Sequence, residues 1–161
     1  MAIESVREYF RQCGVDSRIL EFGTSSETVG LAAAALGCEP CRIAKTLSFQ
    51  VGEDPILIVA AGDAKIDNAR YKEQFQTKAK MIAASEVEHI IGHAVGGVCP
   101  FAVNDGVSVY LDASLRRFQT VFPACGSGNS AIELTLEELE RYSGYRAWID
   151  VCKGWNDGGH T

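Results

Sequence analysis

Residues 42–61 read RIAKTLSFQVGEDPILIVAA, and this stretch limits the fold more than any other. The first ten residues suit a strand. Ile43, Lys45, Leu47, Phe49 and Val51 then share one side, and Arg42, Ala44, Thr46, Ser48 and Gln50 the other. Gly52-Glu53-Asp54-Pro55 has the composition of a turn. Ile56 to Ala61 is apolar without a break. Together they predict a hairpin whose second strand is buried on both faces. A sheet containing such a strand needs other layers packed around it.

The rest of the chain supplies those layers. Ile3, Val6 and Phe10 have helical spacing, with Gly14 as the stop. Arg18 to Phe22 reads as a strand. Thr24 with Glu27 makes a capping box. The helix it opens runs through Val29, Leu31, Ala32, Ala35 and Leu36 to a left-handed cap at Gly37. Asp67 to Gln76 is a polar helix. Ser85 with Glu88 is a second capping box, and Thr135 with Glu138 a third, opening a helix to about Tyr142. Val107 to Leu111, Val121 to Ala124, Ser130 to Leu134 and Ala147 to Val151 read as strands, and Ala113 to Arg117 as a short helix or turn. Regular βαβ alternation is missing and several strands are hairpin-linked. The expected fold class is α+β, with a mixed, mostly antiparallel sheet and helices around it. Residues 1–155 are expected to form a single domain, with the polar tail 156–161 frayed.

At 161 residues the chain can bury a core without disulfide staples. Its net charge of −6 excludes a strongly basic nucleic-acid binder but leaves room for a transient contact through a local basic patch. No apolar run suits a membrane span, and MAIESVREYF lacks a signal core, so a cytoplasmic location is expected. The six cysteines are Cys13, Cys38, Cys41, Cys99, Cys125 and Cys152, and free thiols fit their scattered, apolar contexts. Cys38-Glu39-Pro40-Cys41 has no second ligand pair at zinc spacing, so no metal is expected and the motif reads as a helix end running into a strand. A redox role for this pair would need thiols of low pKa.

Three features could supply a site. Lys45 sits amid an apolar strand face, where it either snorkels to water or holds an ammonium in a partly dry pocket, able to bind an anionic or carbonyl group. GHAVGGVCPF (92–101) is a tight turn or a loop whose Gly96-Gly97 backbone can approach a ligand. It matches neither a Walker loop nor a dinucleotide turn. CGSGN (125–129) is a hairpin turn or a second pocket wall, and Ser127 lacks the context of a hydrolase nucleophile elbow. His89, His93 and His160 make no triad or metal set, and His93 is expected at the surface.

RIAKTLSF, VAAGD, GHAVGGVCPF, VYLD and GSGN before a TLEEL helix occur in that order. With the upstream TSSETVGLAAAALGCEPCRIAKTL, the chain from Ser17 to Tyr142 resembles the YbaK/prolyl-tRNA-synthetase-associated domain family of aminoacyl-tRNA deacylases. The resemblance implies a barrel-like mixed sheet and hydrolysis of the ester of a mischarged small amino acid on tRNA, most often tRNA(Pro). It implies no cofactor. The partners it implies are the acceptor end of mischarged tRNA and a prolyl-tRNA synthetase. It makes Lys45 the catalytic residue and Thr46, Gly96, Gly97, Val98, Pro100, Gly126, Ser127, Gly128 and Asn129 the substrate-binding residues. Alanine-specific members carry Gly-x-His in the later loop, where this chain has Gly126-Ser127-Gly128-Asn129, so the amino acid removed is left open. Lys65, Arg70, Lys72, Lys78, Lys80, Arg116 and Arg117 are candidates for the basic rim that meets tRNA, or are solvated surface. The competing reading is a catalytically inactive module that binds tRNA or a synthetase.

Overall fold

A computed structural model describes residues 2–155. The expected frayed tail, 156–161, lies outside the described residues. The described elements are α1 (Ala2–Cys13), β1 (Leu20–Glu21), α2 (Val29–Leu36), β2 (Ile43–Val51), β3 (Asp54–Ala61), β4 (Lys65–Ile66), α3 (Asn68–Phe75), α4 (Ala84–Ile91), β5 (Ser108–Asp112), β6 (Thr120–Pro123), β7 (Ser130–Ala131), β8 (Leu134–Thr135), α5 (Leu136–Ser143), β9 (Ala147–Ile149) and β10 (Cys152–Lys153). Short 3-10 turns at Asp16–Arg18, Pro40–Arg42 and Ala113–Arg117 join some of them.

The expected hairpin is the centre of the molecule. β2 and β3 pair antiparallel from Ala44↔Ala61 to Val51↔Asp54, with Gly52 at φ +60° in the connection. Pro55 stands in the strand opposite Gln50. Its missing N–H breaks no ladder, because β3 meets β5 only from Ile56 onward. Ile56 to Ala61 is buried throughout, as its composition requires.

β2 and β3 lie inside a six-stranded mixed sheet of order β8-β6-β2-β3-β5-β9. The β2–β6, β3–β5 and β5–β9 pairs are parallel. Among the described residues, the antiparallel strand pairs are the hairpin, β6–β8 and two small side sheets, β1–β7 and β4–β10, with an isolated antiparallel bridge at Phe49–Met81. The parallel β3–β5 pair is joined by a long crossover that holds α3 and α4.

Helices cover the sheet as the apolar pattern predicts. Ile3, Val6 and Phe10 of α1 are buried, and the Phe10 ring packs on Phe101 (4.9 Å) and Tyr142 (5.7 Å). Phe49 and Tyr110 share a sheet face and take α3 through Tyr71 and Phe75, with ring separations of 4.8–5.3 Å. A second small cluster joins Ala32 and Ala33 of α2 to Ile43 and Phe122.

Local motifs fared unequally. Gly14 and Gly37 take positive φ at the ends of α1 and α2 as expected. The Thr135–Glu138 box is complete. The Thr24–Glu27 box does not form: α2 starts a turn later, with Thr28 Oγ1 accepting from Leu31 N–H at 3.1 Å. Ser85 is likewise inside α4, which starts uncapped after Ala83. The 80–82 segment is tied to β2, and the chain turns straight from that extended stretch into the helix. CGSGN lies in the loop of a hairpin: β6 and β8 pair antiparallel, and Ile132 N–H donates to Pro123 O (3.0 Å) across the loop 124–131, with Ser130–Ala131 also pairing to β1.

Glu138 accepts from Arg18, and this contact with the capping box holds its pKa at about 2. The folded value lies below the ordinary one, so its stabilisation is present above about pH 4.5 and is lost as pH falls toward 2. Thr135→Ala should cost about 1 kcal/mol in denaturant titration at pH 7. Glu138→Gln should destabilise at pH 7 and match the parent protein near pH 2.

Candidate functional site

The cavity opens where β2 changes neighbours. β6 accompanies β2 only at Ile43↔Phe122 and Ala44↔Pro123. Farther along the same edge, Gln50 N–H donates to Lys80 O (2.9 Å) and Ile82 N–H to Ser48 O (3.2 Å), with Phe49 opposite Met81. Between these contacts Lys45, Thr46 and Leu47 have β3 on one edge and no strand on the other. Backbone groups alternate in direction along a strand. The C=O of Ser48 and the N–H of Gln50 face this edge, so the N–H and C=O of Thr46 do too. Thr46 Oγ1 is buried and has no hydrogen-bond partner among the described residues.

A cavity of about 540 Å³ lies against this open edge. Val29 and Ala32 of α2, Ile82, Val87 of α4, Val98 and Phe122 make it largely apolar. The size suits a small ligand group.

Of the expected site residues, Lys45, Thr46, Gly96 and Val98 line the cavity. Lys45 is half-buried. Its Nζ donates to the carbonyls of Ala64 and, at 3.5 Å, Gly62. Burial pushes the ammonium pKa below its ordinary 10.5, against the nearby Cys152, Asp63 and Asp112. The structure therefore joins the two readings of this lysine, with its stem along the cavity and its head on backbone carbonyls at the end of β3.

Gly97, Pro100, Gly126, Ser127, Gly128 and Asn129 stand outside the lining. Gly97 N–H already donates to Ala94 O (3.0 Å). The later loop is tied to the segment before α2: Ser26 N–H donates to Gly128 O (2.7 Å), and Asn129 exchanges bonds with Phe22. Ser127 Oγ is engaged with Asn129 Oδ1 and Ser130 Oγ at 2.9 and 2.7 Å. The two glycine loops touch directly, since a Cβ on Gly97 would lie 2.7 Å from Ser127 N.

Glu27 is the residue the capping pattern hid. Freed from any box, its side chain enters the wall between the two loops. A Cβ on Gly96, whose φ is +95°, would collide with the Glu27 carboxylate, and one on Gly128 would lie 2.6 Å from Glu27 Cγ. Glycine is required at both positions because Glu27 occupies the side-chain space. The sequence did carry a sign of this, a second capping threonine at Thr28.

His93 corrects the expectation of a surface position. It is wholly buried, and its Nε2 meets Phe101 O at 2.6 Å, closing the base of the GHAVGGVCPF loop. Burial lowers its pKa. Cys38 and Cys41 do not form a reactive pair, because burial raises both thiols. Among the basic candidates, Arg70 pairs with Asp150, Arg117 with Asp63, and Arg116 stacks on Trp148 at 4.3 Å. Lys78 and Lys80 are exposed and lie next to Met81 of the cavity rim.

Comparisons place this geometry among known proteins. The model of the aminoacyl-tRNA editing domain matches residues 24–142. The chain is 54% identical over 156 residues to the uncharacterized protein YwhH of Bacillus subtilis (strain 168), covering 96% of this chain and 99% of that one. It is 24% identical over 110 residues to the proline–tRNA ligase of Bacillus cytotoxicus, covering 68% of this chain and 19% of the ligase. A crystal structure of a candidate trans-editing enzyme for prolyl tRNA synthetase superposes with a TM-score of 0.84 at 25% identity, over 95% of this chain and 98% of that one. The hypothetical protein APE2540 gives 0.81 at 28% identity, over 92% and 99%.

The contact between the loops generates a test. Gly97→Ala places a methyl against the Gly126 and Ser127 backbone, which has no flexible end to yield. It should destabilise by about 1–3 kcal/mol, the range for overpacking, read as a lowered midpoint in denaturant. An unchanged midpoint would mean that the loops do not form one wall.

Proposed function

The chain belongs to the aminoacyl-tRNA editing domain family, and from that membership we propose that it is an aminoacyl-tRNA deacylase, hydrolysing the ester of a mischarged small amino acid on tRNA. The observation that carries this reading is the small apolar cavity on the open edge of β2, with Lys45 and Thr46 in its lining. The carrier tRNA is tRNA(Pro), and a prolyl-tRNA synthetase is the natural partner. The matched region of the proline–tRNA ligase and the candidate trans-editing structure support both choices.

An ammonium has three donors. The carbonyls of Gly62 and Ala64 take two of those on Lys45, and the third is left for the ester carbonyl. Thr46 N–H, at the open edge, is a second donor. Charge developing on that oxygen is stabilised more in a partly dry cavity than in water. The nucleophile is water. Ser127 is engaged outside the lining and His93 is buried behind its loop. One methylene is worth only about 1–3 kcal/mol as a binding contact, so the walls select by excluding larger side chains. Lys78 and Lys80 contact phosphates of the single-stranded acceptor end, since of the exposed basic candidates they stand next to Met81 of the cavity rim.

A panel of tRNAs charged with different small amino acids tests the reading. Turnover of an ester supports it, while binding without turnover supports the inactive module. Lys45→Ala should lower deacylation about 10²–10³-fold with an unchanged circular dichroism spectrum, the usual cost of an oxyanion donor. An active variant would sink the mechanism. The protonated lysine is the working form, so the enzymatic rate, corrected for spontaneous hydrolysis, should fall on the alkaline side below the ordinary 10.5. Replacing Lys78 and Lys80 together by Ala should raise KM several-fold at constant kcat. The log–log salt dependence should become shallower by about 1.4, for two contacts on a single strand.

A further inference from the structure

The cavity lining contains two charged side chains, Lys45 and Glu27. The Lys45 ammonium is turned to the Gly62 and Ala64 carbonyls. Glu27 is different. Its Oε2 accepts from Ser25 Oγ at 3.2 Å, and no cation pairs with it among the described residues. It is held in place by the two glycine loops, whose Gly96 and Gly128 leave the space its side chain fills. The fold thus places an exposed, uncommitted carboxylate at the rim of an apolar cavity.

An aminoacyl ester carries one positive charge close to the bond that breaks, the α-ammonium. Resting on the aminoacyl-ester reading above, we infer that Glu27 forms an ammonium subsite that pairs with this group. Glu27 is exposed, so the pair is screened by solvent, and its value lies in placing the ammonium more than in raw affinity. Recognition of the α-ammonium is common to all amino acids, so it leaves side-chain choice to the cavity walls. It also orients the ester, because the ammonium and the carbonyl are joined through one carbon. With the ammonium on Glu27, the carbonyl is restricted to a short arc, and Lys45 and Thr46 lie in the same lining.

The test separates charge from shape. Two non-hydrolysable probes are 3′-alanylamido-3′-deoxyadenosine and its lactyl counterpart, in which a neutral hydroxyl replaces the ammonium. The unaltered protein should bind the alanyl probe about two- to fivefold more tightly in calorimetry, the range for an exposed ion pair. Glu27→Gln keeps the wedge between the loops and removes the charge. It should bring the ratio close to one by weakening the alanyl probe alone. Equal binding of the two probes, no binding of either, or an unchanged ratio in Glu27→Gln would overturn the subsite. Loss of both affinities together in the variant would also overturn it, as damage to the loops. Deacylation of mischarged tRNA by the unaltered protein is read separately. The expected ratio without turnover would leave the subsite standing and remove the deacylase.

Discussion

A strand inside a sheet either pairs along both edges or turns polar backbone toward something else, and between Ala44 and Ser48 β2 does the second. β6 leaves after Pro123, and the 80–82 segment joins only at Ser48. An unpaired N–H or C=O away from water is costly. A gap of this kind persists where solvent or a ligand completes it. The apolar cavity lies against that gap, so the backbone at Thr46 is directed into a space that otherwise offers few polar atoms. The cavity is a consequence of strand order: a parallel neighbour contributes two residues and leaves.

The hairpin makes the gap possible because it anchors β2 from the other side. Eight consecutive pairs hold β2 to β3, and β3 is buried along its apolar run. One edge can therefore stay open without loosening the strand. Lys45 fits the same logic. Its side chain starts beside the gap and ends on the carbonyls of Gly62 and Ala64, just past the last residue of β3. Those carbonyls lie beyond the end of the ladder, and the ammonium satisfies them. The arrangement stabilises the strand end and keeps a positive charge beside the cavity, at the cost of partial desolvation that lowers its pKa.

What could be read from the sequence was whatever the local pattern and the core both demanded. The RIAKTLSFQV hairpin, the Ile3–Val6–Phe10 face, the Gly37 cap and the Thr135–Glu138 box all formed, because nothing remote opposed them. The failures share one cause, a tertiary contact that outcompeted a local motif. The 80–82 segment is held to β2 and leads directly into α4, bypassing Ser85. CGSGN does lie between the antiparallel β6 and β8, but in a wide loop whose Asn129 is bonded to Phe22. His93, between glycine and alanine in a polar-looking loop, is buried because one ring nitrogen reaches Phe101 O. Lys45, Thr46, Gly96 and Val98, which the resemblance named as candidates, do share one lining, whereas no spacing rule reveals that Gly97 packs on Ser127.

Glycine-rich loops near a cavity invite the reading that bare backbone touches the ligand. Here the geometry distributes the glycines differently. Gly97 lets one loop lie on the other, and Gly96 and Gly128 make room for Glu27. The segment before α2, the loop after α4 and the loop after β6 thereby become a single wall, tied by Ser26 N–H to Gly128 O. A side chain at Gly96 or Gly128 would displace Glu27, and one at Gly97 would meet the Gly126–Ser127 backbone. A wall built this way resists small adjustments, because its pieces are in contact without flexible side chains between them at the Gly97–Ser127 crossing. Rigidity of that kind is what the proposed selection by exclusion requires. On that reading, a yielding wall would admit one more methylene at little cost.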